Sequence, residues 1–318
     1  MLSGQAAAVV LTDHLGRRVE LPARPQRIVS LAPSLTETLF ALGAGDRVVG
    51  VTDFCDYPAE ARAKARIGGM VNPSLERIVS LQPDLVLITR EGNRRETLEA
   101  LERLGVPTYA VETSRLEEIS RLVRDLGQAV GEAGAGAALA EEMDRRVARV
   151  RAAVNGYPAR RVLFLVWLRP VVSVGRGSFL DDLLEKAGAQ SIAAASAQPW
   201  PHLSMEEILR HELDFIVVPR SADFAPTRED LLRLPGWRKF AVVRQNRILY
   251  LPAAIQRPGP RIAEMLETLA RALHPDAFAA GAGTSAGASR PAGTPGAGLA
   301  WRPLDPGALA AGSGQAKP

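Results

Sequence analysis

Apolar residues in this chain fall in short continuous runs, separated by stretches with helical periodicity. Arg27-Ile28-Val29-Ser30-Leu31, Arg47 to Val51, Pro107 to Val111, Arg161 to Trp167 and Ile248-Leu249-Tyr250-Leu251 read as buried strands. Between them, Ser34 is expected to cap a helix with Glu37 three residues on and Gly43 as its stop. Further helices are predicted from about Glu96 to Leu104, from Ser178 to Ala187 and from Pro260 to about Leu273. Continuous apolar strands alternating with helices argue for parallel sheets covered on both faces. Ahead of them, Val9 to Leu21 reads as a hairpin turning at Asp13 to Gly16 and closed by Pro22 and Pro25.

The middle of the chain breaks the alternation. Leu116, Ile119, Leu122, Val123 and Leu126 keep helical spacing. Gly127, Gly131, Gly134 and Gly136 then interrupt, and Ala137 to Val154 resumes as one long helix that stops at Asn155-Gly156-Tyr157-Pro158. A long helix between two α/β halves is expected to act as a stiff connector.

The halves share a repeat. Ser74 to Ile88, SLERIVSLQPDLVLI, recurs without a gap from Ser204 to Val218 as SMEEILRHELDFIVV. The copies share Ser74/Ser204, Glu76/Glu206, Ile78/Ile208 and Asp84/Asp214, and each reads as a short capped helix followed by an Asp that opens an apolar strand. Two such halves imply two lobes and a cleft. A capping box needs its acid at the third helical position, which is Glu207 in the second copy but Arg77 in the first. The acid both copies keep is therefore one the box does not use. Compensation of the helix dipole, worth about 0.3–1 kcal/mol, and contact with a partner both remain open.

Composition narrows the function classes. The 318 residues fit roughly two domains of about 150. A net charge of +4 without a dense Lys/Arg block, and only 5% aromatic residues, do not make a nucleic-acid footprint. One cysteine, Cys55, excludes an intrachain disulfide framework, and His14, His202, His211 and His274 lack metal-ligand spacing. Neither a metal site nor a cofactor is expected. No apolar run of about 18 residues suggests a membrane helix. Met1 to Leu11 lacks a signal peptide's basic region and no lipid-accepting cysteine lies near the start, so a late or trimmed start is expected. Ala279 to Pro318, mostly Gly, Ala, Ser and Pro, is expected to be disordered.

The candidate chemistry lies in loops. Phe54 and Tyr57 follow the second strand, where Asp56-Tyr57-Pro58 is expected to start a helix with Tyr57 partly buried. Trp200, between two prolines, is a loop residue, either a rigid stacking plate or a flap over the core. Arg257-Pro258-Gly259-Pro260-Arg261 sets two guanidinium groups before a helix, as an anion-binding mouth or as plain surface arginines. Gly175-Arg176-Gly177 lacks the rest of a P-loop and reads as a helix-opening turn. No Ser-His-Asp arrangement or facing carboxylate pair argues for catalysis.

Taken in order, several of these segments resemble a known family. They are Arg27 to Glu37, Asp56-Tyr57-Pro58, Leu75-Glu76-Arg77-Ile78 through Pro83-Asp84-Leu85-Val86, Pro199-Trp200-Pro201 with Ser204-Met205-Glu206, and Pro258-Gly259-Pro260-Arg261-Ile262. From Arg27 to about Leu273 the chain resembles the helical-backbone substrate-binding proteins of bacterial ABC importers, which serve cobalamin, ferric siderophores and haem, and most closely the cobalamin-binding branch. The resemblance implies an α/β fold of the class III periplasmic binding protein type, with two Rossmann-like lobes of parallel sheet joined by a single long backbone helix. The implied division is a strap at 1–26, a first lobe at 27–115, connecting helices at 116–157, a second lobe at 158–276 and a tail at 277–318. It implies a non-enzymatic, extracytoplasmic, monomeric receptor that closes little on binding. Phe54 and Trp200 match ligand-lining aromatic positions, and Tyr57, Arg257 and Arg261 join them as candidate ligand contacts. Glu76 and Glu206 match the family's two docking glutamates, which meet arginines of a permease dimer that works with ATPase subunits. Gly68-Gly69 stands where the cobalamin branch has a tryptophan, and Ala253-Ala254-Ile255-Gln256-Arg257 replaces an acidic-aromatic loop. A corrinoid is the expected ligand, with a ferric siderophore or haem as the alternative. An intracellular chelatase-like enzyme for tetrapyrroles or corrinoids is the alternative from another class.

Overall fold

The computed structural model describes residues 8–221 and 224–279. The tail expected to be disordered lies, from residue 280 on, outside the described residues. At the start, β1 (Ala8–Thr12) and β2 (Arg18–Pro22) pair antiparallel with Ala8 opposite Pro22. Asp13 closes their turn by accepting from the backbone N–H groups of Leu15 and Arg17. This strap continues onto the first lobe, where the His14 N–H donates to the Ala110 carbonyl.

Lobe one runs β3 (Ile28–Ser30), α1 (Pro33–Ala41), β4 (Val48–Val51), β5 (Ala65–Arg66), α2 (Leu75–Ser80), β6 (Leu85–Thr89), α3 (Arg95–Arg103) and β7 (Thr108–Val111). Its five strands are all parallel, in the order β5-β4-β3-β6-β7. Every residue of β6 is buried, as a central strand with helices on both faces requires. The expected start of α1 needs correction. Pro33 opens the helix, Ala32 is the N-cap without a side-chain hydrogen bond, and Ser34 is buried inside the first turn. Proline supplies a helical φ and lacks the N–H that a cap would satisfy, so Glu37 is not used in a capping box. Gly43 does end the helix, at φ +76°.

Two helices follow, α4 (Leu116–Ala129) and α5 (Ala133–Val154), the latter about 33 Å long at 1.5 Å per residue. Here too the sequence reading is corrected. Only Gly131, at φ +73°, sits in the turn between them. Gly127 lies within α4, and Gly134 and Gly136 lie within α5. A Cβ on Gly127 would stand 2.9 Å from the Cα of Gly136, so these two glycines let the helices cross in backbone contact rather than break them. The pair is tied down at both ends. In lobe one, Arg47 donates to the Val130 carbonyl and to Glu132, each at 2.8 Å.

Lobe two runs β8 (Arg160–Phe164), β9 (Trp167–Leu168), β10 (Val171–Val172), α6 (Phe179–Lys186), β11 (Ala189–Ser191), β12 (His202–Leu203), α7 (Met205–Leu209), β13 (Phe215–Arg220), α8 (Arg228–Arg233), α9 (Ala241–Arg244), β14 (Ile248–Pro252), α10 (Ile262–Leu273) and α11 (Pro275–Ala279). Its main sheet, β11-β8-β13-β14, is parallel, and β12-β10-β9 form a separate small antiparallel sheet. On α6, buried Asp182 accepts from the Leu116 N–H at 2.7 Å and so caps α4 from the second lobe. Lys186 neutralises that acid at 2.7 Å. One apolar core runs from Leu35 and Leu39 through Ile119, Leu122 and Val150 to Leu183 and Leu266. The connector is thus embedded in both lobes.

The repeat does the same job twice. Asp84 accepts from the Gln26 and Arg27 N–H groups at 2.7 and 2.8 Å, while its own N–H donates to the Arg27 carbonyl. Asp214 accepts from the Arg161 N–H at 2.7 Å and donates to the Arg161 carbonyl. Each Asp therefore fixes the start of the neighbouring strand, β3 or β8, and with it the register of its lobe.

Candidate functional site

Ligand crevices of open α/β sheets lie outside the carboxyl ends of the strands. In lobe one, β4 runs into Phe54, Asp56 and Tyr57; in lobe two, β14 runs into Arg257. Side chains cross between these two edges. Arg257 donates to Glu37 at 2.9 Å and to Asp56 at 2.6 Å. Arg261 grips Glu37 with two hydrogen bonds, at 2.8 and 2.6 Å, and its guanidinium lies 3.8 Å from the Tyr57 ring centre. The Glu37 side chain is 2% exposed. The floor between the lobes is thus a charge-balanced cluster of two acids and two arginines, one of which stacks on a tyrosine.

Of the two alternatives for Arg257 and Arg261, an anion-binding mouth or plain surface arginines, neither anticipated that both are paired across the cleft. A buried carboxylate is stable only if paired and hydrogen-bonded, and Glu37 engages both guanidinium groups. Burial pulls Arg257 down, but its bonds to Asp56 and Glu37 outweigh that and raise it. Burial pushes the Asp56 carboxyl up, but the Arg257 hydrogen bond and charge outweigh it and hold it below the usual range. The helix expected at Asp56-Tyr57-Pro58 is a short 3-10 turn at Ala59–Ala63, and Tyr57 is 47% exposed at its edges beneath Arg261.

Other aromatic side chains are exposed on the loops and on the small sheet. Phe54 is 55% exposed. Trp200 is 44% exposed, so it does not act as a flap over the core. Its loop is held by backbone bonds from Ser173 to Pro201 and from Gly175 to Pro199, each 3.0 Å. Gly175 permits that approach, because a Cβ there would lie 2.2 Å from the Gln198 carbonyl oxygen. The small sheet adds a further plate. Its register sets Trp167, Val172 and His202 side by side, while Leu168, Val171 and Leu203 pack on the lobe-two core. Trp167 is exposed and stacks on Phe224 with ring centres 5.5 Å apart.

Glu37 and Asp56 belong to this floor, and the sequence reading passed over both as site residues. Glu37 was legible as a charge between the apolar positions Leu35 and Leu39. The buried strand expected from Arg161 to Trp167 is corrected: β8 ends at Phe164, and Trp167 lies exposed in the two-residue strand β9.

Helices that precede a parallel strand run against it, so their first turns lie at the carboxyl edge. Glu76 and Glu206 occupy the first turns of α2 and α7, and both are exposed. Glu206 is bridged by Arg210 at 2.6 Å; at the matching position lobe one has Ser80, and Glu76 makes no ion pair among the described residues. Ser204 and Glu207 form the expected capping box, whereas Ser74 alone caps α2. The two kept glutamates are thus spare to helix capping in both copies. A separate open depression of about 320 Å³ on lobe two is lined by Arg220, Thr227, Arg228, Glu229, Asn246 and Tyr250 and includes none of the expected site residues. Among the described residues no group of three His, Cys, Asp or Glu could hold a metal ion, and no helix is long and apolar enough to cross a membrane.

The sequence profile described as periplasmic binding protein matches residues 28–255. A vitamin B12-binding protein of Vibrio parahaemolyticus is 28% identical over 74% of this chain and 85% of its own length. An uncharacterized ABC transporter substrate-binding lipoprotein of Bacillus subtilis is 29% identical over 85% of this chain and 87% of its own. Among solved structures, a periplasmic heme-binding protein from Roseiflexus sp. RS-1 in apo form superimposes with a TM-score of 0.72 at 30% identity, covering 79% of this chain and 99% of that one.

Proposed function

This chain belongs to the periplasmic binding protein family, and from that premise we propose that it is the receptor of an ABC importer that carries a corrinoid. The supporting observation is the state of the cleft floor. Arg257 and Arg261 are both engaged by Glu37 and Asp56, which leaves little free positive charge for an anionic siderophore. Phe54, Trp200 and Trp167 are exposed, and in this reading they face the cleft, where aromatic faces suit a large, flat, nearly neutral ring system. Phe54, Tyr57 and Trp200 contact the ligand in this reading, with Arg257 and Arg261 positioning Tyr57 and closing the floor. Haem is the second reading, favoured by exposed His202, across Val172 from Trp167, as an iron ligand. The family is one of binding proteins, so the chelatase-like alternative has no support from it.

Glu76 and Glu206 are the docking acids in this proposal, one on each lobe, and their partners are arginines of a permease dimer joined to ATPase subunits. The receptor works as a monomer outside the cytoplasm and needs no cofactor of its own. Exposed pairs are weak singly, so two at a fixed separation set orientation and encounter rate.

Tryptophan fluorescence tests the ligand. Cyanocobalamin and cobinamide are expected to quench saturably, and Trp200→Ala is expected to weaken binding about tenfold, since buried aromatic anchors dominate binding energy. Saturable quenching by haem or a ferric hydroxamate, with none by either corrinoid, would overturn the corrinoid reading.

A further inference from the structure

Besides the two glutamates, the copies of the repeat agree at a second position that the fold does not explain. Buried recurrences have structural reasons: Ile78 and Ile208 are both 0% exposed and anchor their helices on the lobe cores. Leu75 and Met205, one turn earlier, pack partly against the same cores. Val79 and Leu209 are different. They hold the same place in the two copies, and each is 41% exposed.

Single exposed aliphatic residues are ordinary. A matched pair, one per lobe at one register, is not accounted for that way. Helix propensity does not select it either, because valine is a poor choice for an exposed helix position. Each side chain lies three residues after a glutamate, Val79 after Glu76 and Leu209 after Glu206, and residues at that spacing are neighbours on a helix surface. Both lobes therefore present an acid beside an aliphatic side chain, on helices whose first turns lie at the carboxyl edge of the sheets.

We infer that Val79 and Leu209 are the apolar half of a bipartite docking patch, seated on the same permease dimer that Glu76 and Glu206 meet. The inference rests on the docking reading given above and adds a division of labour to it. A surface that shows one acid and one aliphatic group twice, in two similar lobes, fits a two-fold partner that offers one basic group and one apolar recess in each subunit. Charge at the acids speeds encounter and orients the pair. Desolvation of the aliphatic groups slows release, the step in which related complexes mostly differ.

The test compares two double variants in binding to the cognate permease–ATPase complex held in nanodiscs. Val79→Ser with Leu209→Ser is expected to raise the dissociation rate about tenfold, with the association rate and its salt dependence unchanged. Glu76→Gln with Glu206→Gln is expected to slow association and flatten the salt dependence. Val10→Ser, on an exposed strap residue, should change neither rate. Wild-type dissociation from the serine pair, with binding lost in the glutamine pair, would overturn the apolar half and leave the docking acids in place. Wild-type behaviour in both would remove the docking reading as well. Concentration-dependent dimerisation of the native chain that the serine pair abolishes would assign this face to a second copy and also overturn the proposal.

Discussion

Lobe one and lobe two are built around the same helix-to-strand unit, yet they bring opposite charge to the cleft. Lobe one contributes Glu37 and Asp56, and lobe two contributes Arg257 and Arg261. Outside the cleft they also differ: Glu206 is bridged by Arg210, while Glu76 has no such bridge among the described residues. Lobe one carries a strap, anchored by His14 between Glu112 and Asp125. The likeness sets the frame, and each of these differences has a job. Charge opposition ties the lobes across the cleft; on the docking proposal, the unequal acids would make the two ends of the docking face unequal.

The charge opposition gives the largest expected effect. Glu37→Ala would leave two partly buried guanidinium groups without their shared acid, and breaking such a cluster from one side costs about 3 kcal/mol. Urea unfolding should show that loss, and Arg261→Ala should cost less because Arg257 still pairs with Glu37. Equal stability of Glu37→Ala and wild type would mean that the cluster does not join the lobes.

The unequal acids come next. Glu76→Arg should lower receptor-stimulated ATP hydrolysis more than Glu206→Arg, by about tenfold against about threefold, because a free acid has no local bridge to surrender. Equal losses would erase the distinction between the two ends.

The strap gives the smallest effect. The hydrogen bond that His14 donates to Asp125 raises the His14 pKa, against a lowering by burial. A raised histidine stabilises the fold fully below its unfolded value of about 6.5 and loses that contribution as pH rises through the folded value. The wild type should therefore exceed Asp125→Asn by a few tenths to about 1 kcal/mol at pH 5.5, and by less at pH 8.5. A gap that widens with pH would contradict the assignment.

Much of the frame was legible in the sequence because its causes are local. The alternation of apolar runs and helical periods located both sheets, and comparing copies singled out Glu76, Glu206 and the strand-fixing Asp84 and Asp214. The failures share a physical reason. Glu37 looked like a capping residue because three-residue spacing is visible in sequence, whereas its partners lie more than two hundred positions away. Gly127 and Gly136 looked like breakers because a helix-to-helix contact leaves no mark on either helix alone. The arginines looked free because their neutralising acids belong to the other lobe.

The connector, sealed at one end by Arg47 and at the other by Asp182, carries a consequence for traffic at the membrane. If the frame bends little, as the resemblance implies, Glu76 and Glu206 would keep nearly one spacing whether or not cargo is aboard. On the docking proposal, vacant receptors then occupy the same berth as loaded ones. Uptake would depend on the ratio of loaded to vacant molecules as well as on the number loaded, and adding more receptor at fixed cargo would slow import.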